Sequence, residues 1–320
     1  MIDYAVFYRR PIQVERISKE LPRFDILVSA FNSSDRVSGV FSGINSVRKI
    51  WLIHPEYQYL PVDLPEGHEL VHPTSTDEVV QVNALLAQMG DLNGKSICVD
   101  ITGFMRHVLV FLTAKFENLG LHQFTAVYSE PQTYLKQEHT SFSTTTSGVV
   151  RPVRGLGPST TGSAKEFLIL GVGYDDRLIS EVANNKDGSV VFPVFAFPSL
   201  SPDMYQQSAI RAAASGEVAL RSDWVGNRRF APANDPFSTA NTLSAIVNEI
   251  DRKGGANNIY LSPLSTKVQA LGFSIYWLFE GRSRGAVSII FPECLTYSRE
   301  TSIGLKRLWT YTVELRRPPA

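Results

Sequence analysis

Apolar runs of strand length alternate with helical segments along most of the chain. FDILVSAF at residues 24–31 and ICVD at residues 97–100 are two such runs, and each is followed by a polar turn and a segment with apolar residues at helical spacing. Continuous apolar runs are typical of strands that are buried on both faces, as in parallel sheets. Strands separated by helices predict βαβ units, and therefore an α/β fold with mostly parallel sheets.

The element order restarts at residue 167, and polar residues recur with it. Asp35–Arg36 follows the strand at 24–31, and Asp176–Arg177 follows the run FLILGVGY at residues 167–174. An E-x-x-T-Y motif follows the last apolar run of the first half, and the same motif follows the apolar run at residues 286–291 in the second half. These matches lie at strand ends and keep the same order. We therefore predict an internal duplication that gives two tandem Rossmann-like, three-layer domains.

Residues 139–165 separate the two halves and differ from them in composition. The segment is rich in Ser, Thr and Gly and contains few large apolar side chains, which is typical of a linker. A binding loop is the alternative, and Val149–Val153 has the composition of a small edge strand. We predict one domain at residues 1–138, a linker at 139–165 and a second domain at 166–320.

Charge and cysteine content limit the partners that are expected. The chain carries 31 basic and 31 acidic residues, so its formal net charge is zero, and duplex nucleic acid is not expected because phosphate binding requires a basic face. Cys98 and Cys294 are too few for a disulfide framework or a zinc cluster, which favours a cytoplasmic location. The sequence shows no apolar run of membrane-spanning length and no secretory leader, so no membrane association is expected.

The turn that follows residues 97–100 combines groups that suit an anion. Gly103 permits close approach of the backbone, Thr102 offers a hydroxyl, and Arg106 supplies positive charge beside a helix N-terminus. Ligands of open α/β sheets bind at the carboxyl ends of strands. We therefore predict that this turn, together with Asp100, binds a phosphate group. In the alternative reading, Thr102 caps the helix and Asp100 accepts hydrogen bonds from loop amides.

The corresponding turn of the second half holds Ser265, Thr266 and Lys267, whose lysine also suits an anion. We assign further ligand contacts to polar residues that recur at strand ends. They are Asp35, Arg36, Tyr134, Asp176, Arg177 and Tyr297. One reading of the two tyrosines is that they stack on a base and hydrogen-bond to it. The other is that they shape the turns next to Pro131 and Pro292.

Two glutamates are the candidate catalytic carboxylates. Glu130 and Glu293 begin the two E-x-x-T-Y motifs and would serve a glycosyl hydrolase or transferase. His54 and Glu56 are a second candidate, as an acid–base pair, and the alternative is that they only flank a strand end. The remaining histidines lack metal-ligand spacing and the Walker A spacing is absent, so we predict no metal site and no cofactor.

The strand-to-helix stretch D-I-T-G at residues 100–103, with Arg106 one turn later, resembles the ligand-binding loop of CARF domains. Those are Rossmann-like sensors of cyclic oligoadenylates, typically paired about a twofold axis. The resemblance implies ligand contacts from the Thr-Gly pair and the arginine, and by the repeat from Thr266 and Lys267. The second half departs from the pattern because it lacks the Thr-Gly pair. A separate protein partner that carries an effector activity is a further expectation.

These features predict a binding protein. Its ligand would be of nucleotide type, with cyclic oligonucleotides included, held in a composite cleft at the strand carboxyl ends of the two repeated domains. The chain would then act as a sensor or regulatory subunit. A nucleotide- or nucleoside-processing enzyme on the same scaffold is one alternative, and a structural scaffold subunit is another.

Overall fold

The computed structural model describes residues 2–134, 143–157, 164–201, 204–214, 222–299 and 302–316. Its α-helices are α1 (Ile17–Glu20), α2 (Asp35–Gly43), α3 (Glu78–Met89), α4 (Arg106–Asn118), α5 (Asp176–Asn185), α6 (Met204–Ala214), α7 (Ser222–Gly226), α8 (Pro236–Arg252), α9 (Lys267–Tyr276) and α10 (Arg282–Arg284). A π-helical segment, Trp277–Gly281, joins α9 to α10. No helix in this described part of the chain combines the length and the hydropathy that crossing a bilayer requires.

Strands alternate with these helices in both halves of the chain. They are β1 (Arg9–Ile12), β2 (Phe24–Ala30), β3 (Ser46–Leu52), β4 (Glu69–Val71), β5 (Ile97–Asp100), β6 (Gln123–Tyr134), β7 (Ser143–Pro152), β8 (Lys165–Val172), β9 (Val190–Ala196), β10 (Arg229–Ala231), β11 (Asn257–Pro263), β12 (Val287–Tyr297) and β13 (Ser302–Glu314). Every residue of β5 and of β11 is buried, as expected for strands covered on both faces. The predicted α/β class is confirmed.

The chain folds into two compact units, each with its own sheet. The first unit contains Phe7–Thr145 and Cys294–Arg316, and the second is built mainly from Thr146–Glu293. In the first unit, the sheet order is β1-β13-β6-β5-β2-β3-β4, and the five strands from β6 to β4 are parallel. In the second, the order is β10-β9-β8-β11-β12-β7, and the five strands from β10 to β12 are parallel. The predicted mostly parallel sheets are therefore confirmed.

The five parallel strands follow the same order in both units. When the parallel strands are numbered by their order along the chain within each unit, their spatial order across both sheets is third, second, first, fourth, fifth. This agreement supports the predicted duplication, because it extends the match from sequence motifs to connectivity. It also places the loops after the first and fourth strands side by side at the carboxyl edge of each sheet, where ligands of this architecture bind.

In each sheet, the strand next to the fifth parallel strand comes from a part of the sequence that follows the strands of the other sheet. β7 follows β6 along the chain but lies beside β12 in the second unit, and β13 follows β12 but pairs antiparallel with β6 in the first unit. The structure therefore differs from the sequence-based boundaries, since residues 294–316 belong with the first half. It also places a strand, β7, inside the segment predicted as a linker. β7 is rich in β-branched Thr and Val, which suit a strand once β12 offers a backbone partner.

Parts of that predicted linker, residues 139–142 and 158–163, lie outside the described residues.

At the carboxyl edge of each sheet, a glycine permits close contact between the loops after the first and fourth strands. A Cβ atom on Gly103 would lie closer than 3.0 Å to the carbonyl oxygen of Ala30, and one on Gly173 would lie as close to that of Leu264. The glycine follows the fourth strand in the first unit and the first strand in the second. The same pair of loops is therefore in close contact in both units, but the glycine that permits the contact comes from the loop after the fourth strand in one unit and after the first strand in the other.

Candidate functional site

A buried carboxylate lies at the centre of the carboxyl edge in the first unit. Asp100, the last residue of β5, is fully buried. Its Oδ2 accepts a hydrogen bond from Ser29 Oγ at 3.0 Å, and its Oδ1 accepts one from the backbone N–H of Thr102 at 3.0 Å. Burial raises the pKa of Asp100, while these hydrogen bonds and the nearby Arg36 guanidinium partly offset that rise. Asp100 therefore organises the turn after β5, as in the alternative reading of the sequence.

Thr102 and Arg36 both bind the backbone of β6 at Ser129. Thr102 Oγ1 accepts hydrogen bonds from the Ser129 N–H at 3.0 Å and from Ser129 Oγ at 2.9 Å. Arg36 Nη1 donates to the Ser129 carbonyl oxygen at 2.5 Å, and the Arg36 side chain is buried. The Thr102 hydroxyl does not cap α4, because Met105 is the N-cap residue. Three residues that the sequence predicts as ligand contacts, Asp100, Thr102 and Arg36, thus meet in one polar network.

The raised pKa of Asp100 makes stability depend on pH. The folded chain holds the Asp100 proton above the ordinary carboxyl pKa of 3.8, where the unfolded chain releases it, so stability falls as pH rises through this window. Asp100→Asn keeps the shape of the side chain and removes the ionisation. The quantity to compare is the free energy of unfolding of the wild-type protein minus that of the variant. We expect this difference to decrease as pH rises from 3.8 through the raised pKa. Urea unfolding of both proteins across this range measures the difference, and a constant or increasing difference would contradict the expectation.

His54 and Glu56 belong to a second buried network, and Gln81 stands between them. His54 Nδ1 lies 2.6 Å from Gln81 Oε1, and Gln81 Nε2 donates to both Glu56 oxygens at 3.3 and 3.4 Å. His54 Nε2 accepts the backbone N–H of Met105 at 3.1 Å, which assigns the ring proton to Nδ1. His107 Nε2 lies 3.5 Å from Glu56 Oε1. His54 and Glu56 are fully buried, and the hydrogen bond from Met105, the N-cap residue of α4, to His54 ties this network to the start of that helix.

A cation occupies the first position of the helix that follows the fourth parallel strand in each unit. α4 begins at Arg106 and α9 begins at Lys267. Arg106 is half-buried, and Lys267 is only 9% exposed. A positive side chain at this position opposes the helix dipole, whose N-terminus is itself positive. Two of the positively charged candidates from the sequence, Arg106 and Lys267, therefore lie at equivalent places on the carboxyl edges of their sheets.

The turn before α9 uses its hydroxyl within the protein. Thr266 caps α9, since its Oγ1 accepts the Gln269 N–H at 3.1 Å and lies 2.7 Å from the Ala233 carbonyl oxygen, to which it donates. Ser265 is buried beside it. Ser262 occupies the strand position that corresponds to Asp100, so a serine stands in the second unit where the first has its central carboxylate. The two edges are equivalent in backbone and unequal in side chains.

The repeated Asp-Arg pair opens α2 and α5 but has different surroundings in the two units. Asp35 and Asp176 are exposed at the first helical position, where a negative charge favours the dipole. Arg177 is exposed, whereas its counterpart Arg36 is buried against Ser129. The side chain that caps α5 is Asp175, which accepts the Leu178 N–H at 3.3 Å. Of these residues, the structure thus brings only Arg36 into the buried polar network.

Glu130 and Glu293 form ion pairs with the strand that extends each sheet. Glu130 is buried, accepts from Trp309 Nε1 at 2.9 Å, and lies 3.1 Å from Lys306 Nζ and 3.3 Å from Arg307 Nε. Glu293 lies 2.6 Å from Arg151 Nε. The two carboxylates thus join β6 to β13 and β12 to β7. Their assignment as catalytic groups stays a prediction.

The arginines of these pairs belong to a repeat that the sequence analysis missed. Gly148 precedes Arg151 by three positions, and Gly304 precedes Arg307 by the same spacing. Both glycines have positive φ, 75° and 68°, which glycine adopts without strain. The G-x-x-R spacing was readable in the sequence. Composition alone assigns Gly148 to a linker, so the spacing around it does not predict a strand.

Tyr297 lies near the turn after β5, in contact with another tyrosine. Its ring centroid is 5.7 Å from that of Tyr57, and the Tyr57 hydroxyl donates to the Gly103 carbonyl oxygen at 3.0 Å. Burial raises the pKa of Tyr57 well above its ordinary value. Arg299, two residues after Tyr297, donates to the Tyr57 carbonyl oxygen at 2.8 Å. The side chain of Tyr134, the counterpart of Tyr297, lies outside the described residues.

Comparisons of the chain with protein-family models, with curated proteins and with solved structures found no match. Among the described residues, no group of three or more His, Cys, Asp or Glu side chains is arranged to hold a metal ion. The function therefore has to be inferred from the geometry of the sheet edges.

Proposed function

We propose that this protein binds an anionic, nucleotide-type ligand at the carboxyl edges of its sheets. The observation that carries the proposal is the repeated cation, Arg106 in one unit and Lys267 in the other, at the first position of the helix after the fourth strand. A cation here is unfavourable for the helix itself. Phosphate groups bind at helix N-termini of α/β proteins, and a neighbouring cation strengthens that binding.

The role we propose is that of a sensor or regulatory subunit. Support comes from the resemblance of D-I-T-G and Arg106 to the CARF ligand loop, which favours cyclic oligonucleotides among nucleotide ligands. The buried network of Asp100, Thr102 and Arg36 fits a rigid support for such a loop, since its polar groups are used inside the protein. A cleft shared by the two repeats, and a protein partner with an effector activity, stay predictions.

Ligand-induced thermal stabilisation tests the proposal. We expect ATP, NAD or a cyclic oligoadenylate to raise the melting temperature of the wild-type protein, because a ligand that binds only the folded state stabilises it. Arg106→Gln and Lys267→Gln should each weaken the binding by about tenfold, since each removes one charge-assisted contact with phosphate. Arg23→Gln is the control: this exposed arginine precedes β2, at the opposite edge of the sheet, and should leave the shift unchanged.

The outcome also separates binding from catalysis. If none of these compounds shifts the melting temperature, or if the control variant loses as much as the two test variants, the proposal is wrong. Chromatography of the incubated nucleotides reports any product. Turnover would favour the enzyme alternative, for which Glu130 and Glu293 are the candidate catalytic carboxylates.

A further inference from the structure

The second unit carries an exposed aromatic cluster on the outer part of its sheet. Phe197, Tyr205 and Phe230 have ring centroids 5.7 to 6.1 Å apart in all three pairings. Phe197 follows β9, Tyr205 lies in α6 and Phe230 lies in β10. Phe197 is 53% exposed and Phe230 is 45% exposed. Tyr205 of α6 also contacts Phe195 of β9, which is explained by the packing of α6 on the sheet. That packing does not cover Phe197 and Phe230, which remain largely in contact with water.

An arginine lies beside this cluster. Arg228 Nη1 donates to the Tyr205 hydroxyl at 3.3 Å, and its guanidinium carbon lies 5.1 Å from the centroid of Phe195. The guanidinium is therefore held in place by an aromatic face and a phenol oxygen. Aromatic rings together with a fixed guanidinium plane are the groups on which proteins stack unpaired nucleobases.

The backbone links this cluster to the turn of Lys267. The Phe197 N–H donates to the Ala231 carbonyl oxygen at 2.8 Å, and the Ala233 N–H donates to the Pro198 carbonyl oxygen at 2.9 Å. From the other side, Thr266 Oγ1 donates to the Ala233 carbonyl oxygen and Gln269 Nε2 to that of Ala231. Three consecutive residues span at most about 10 Å. The aromatic cluster and the N-terminus of α9 thus bind the same short segment at the carboxyl edge of one sheet.

We propose that the Phe197–Tyr205–Phe230 cluster binds the base of the nucleotide whose phosphate lies at Lys267. This inference rests on the proposed function and adds the recognition of the base. Stacking on aromatic faces tolerates every base, so the site would select nucleotides over sugar phosphates before it selects among bases. The neutral net charge of the chain agrees with recognition of a small ligand, for which a few local cations suffice.

Calorimetric titration with AMP and with ribose 5-phosphate tests the inference, because the two probes differ by the base. We expect wild-type protein to bind AMP about tenfold more tightly than ribose 5-phosphate. Phe197→Ala combined with Phe230→Ala should abolish that preference and leave the affinity for ribose 5-phosphate unchanged. Phe197→Trp, which retains a stacking surface, should preserve it. Ile210→Ala, which shortens an exposed apolar side chain of α6, is the control and should change neither affinity.

The possible results distinguish the two proposals. If the double variant keeps the preference for AMP, the cluster does not bind the base and the inference is wrong, while a loss of both affinities in Lys267→Gln would still support the proposed function. If Lys267→Gln binds both probes as well as wild type, the phosphate site is misplaced and both proposals fail. Wild-type protein that binds neither probe would overturn the inference, whereas the proposed function is decided by the melting-temperature test with ATP, NAD and a cyclic oligoadenylate.

Discussion

Gly103→Ala is expected to destabilise the first unit by about 3 kcal/mol, because the new methyl group would overlap a backbone carbonyl. The Cβ would lie closer than 3.0 Å to the Ala30 oxygen, and it would also approach the Ala30 carbonyl carbon and Cβ. These atoms end β2, which is hydrogen-bonded on both sides, so they cannot move without disturbing the sheet. Urea unfolding followed by circular dichroism measures the loss.

The matched control is Gly39→Ala, in the middle of α2. A Cβ there meets no heavy atom of the described residues within 4 Å. Alanine should therefore stabilise the protein by about 0.5–1 kcal/mol, because it favours the helix over the unfolded chain. Gly173→Ala, at the equivalent crossing of the second unit, should cost as much as Gly103→Ala. A Gly103→Ala protein as stable as wild type would show that the two loops do not cross as closely as the structure has them.

Glu130→Ala is expected to cost about 2–3 kcal/mol of stability, whereas Glu293→Ala should cost less than about 1 kcal/mol. The two residues are equivalent in the repeat but differ in burial. Glu130 is 3% exposed and accepts the indole N–H of Trp309, which its removal would leave without that acceptor. The Glu293 side chain is 36% exposed, so water screens its pair with Arg151. Urea unfolding of both variants against wild type measures the two losses.

Glu130→Gln separates a structural role from a catalytic one. The glutamine oxygen can still accept the hydrogen bond of Trp309, so this variant should retain more stability than Glu130→Ala. If Glu130 were the catalytic carboxylate of an enzyme, the same conservative change would abolish turnover of a nucleotide while the protein stayed folded. Equal losses of stability for Glu130→Ala and Glu293→Ala would mean that burial does not govern these pairs.

Local sequence patterns were sufficient for the elements at the centre of each sheet. The run at residues 24–31 becomes β2, which ends one residue earlier, and the run at 97–100 becomes β5. These strands are covered on both faces, so most of their side chains are apolar and the pattern predicts them correctly. The pattern failed where strands extend beyond the core. Apolar residues predict a strand over Phe124–Tyr128, yet β6 continues to Tyr134, because β13 supplies backbone partners for its polar half.

The candidate site was predicted only as a set of positions. The sequence placed Asp100, Thr102, Gly103 and Arg106 in one turn, and the structure has them there. It could not show that Thr102 and Asp100 direct their polar atoms into the protein, because Ser29 and Ser129, their partners, come from other strands. Hydrogen bonds between distant segments leave no periodic signal in the sequence.

The sequence by itself determined the α/β class, the repeated motifs at strand ends and the positive charge beside two helix N-termini, since each follows from residue type and local spacing. Tertiary structure alone decided which copy of a repeated residue is buried and what it contacts. Arg36 is buried where Arg177 is exposed, and Glu130 meets a tryptophan 179 residues away. The reason is physical: periodicity reports which face of an element is apolar, but the exchange of β7 and β13 between sheets depends on backbone pairing between segments far apart in the chain.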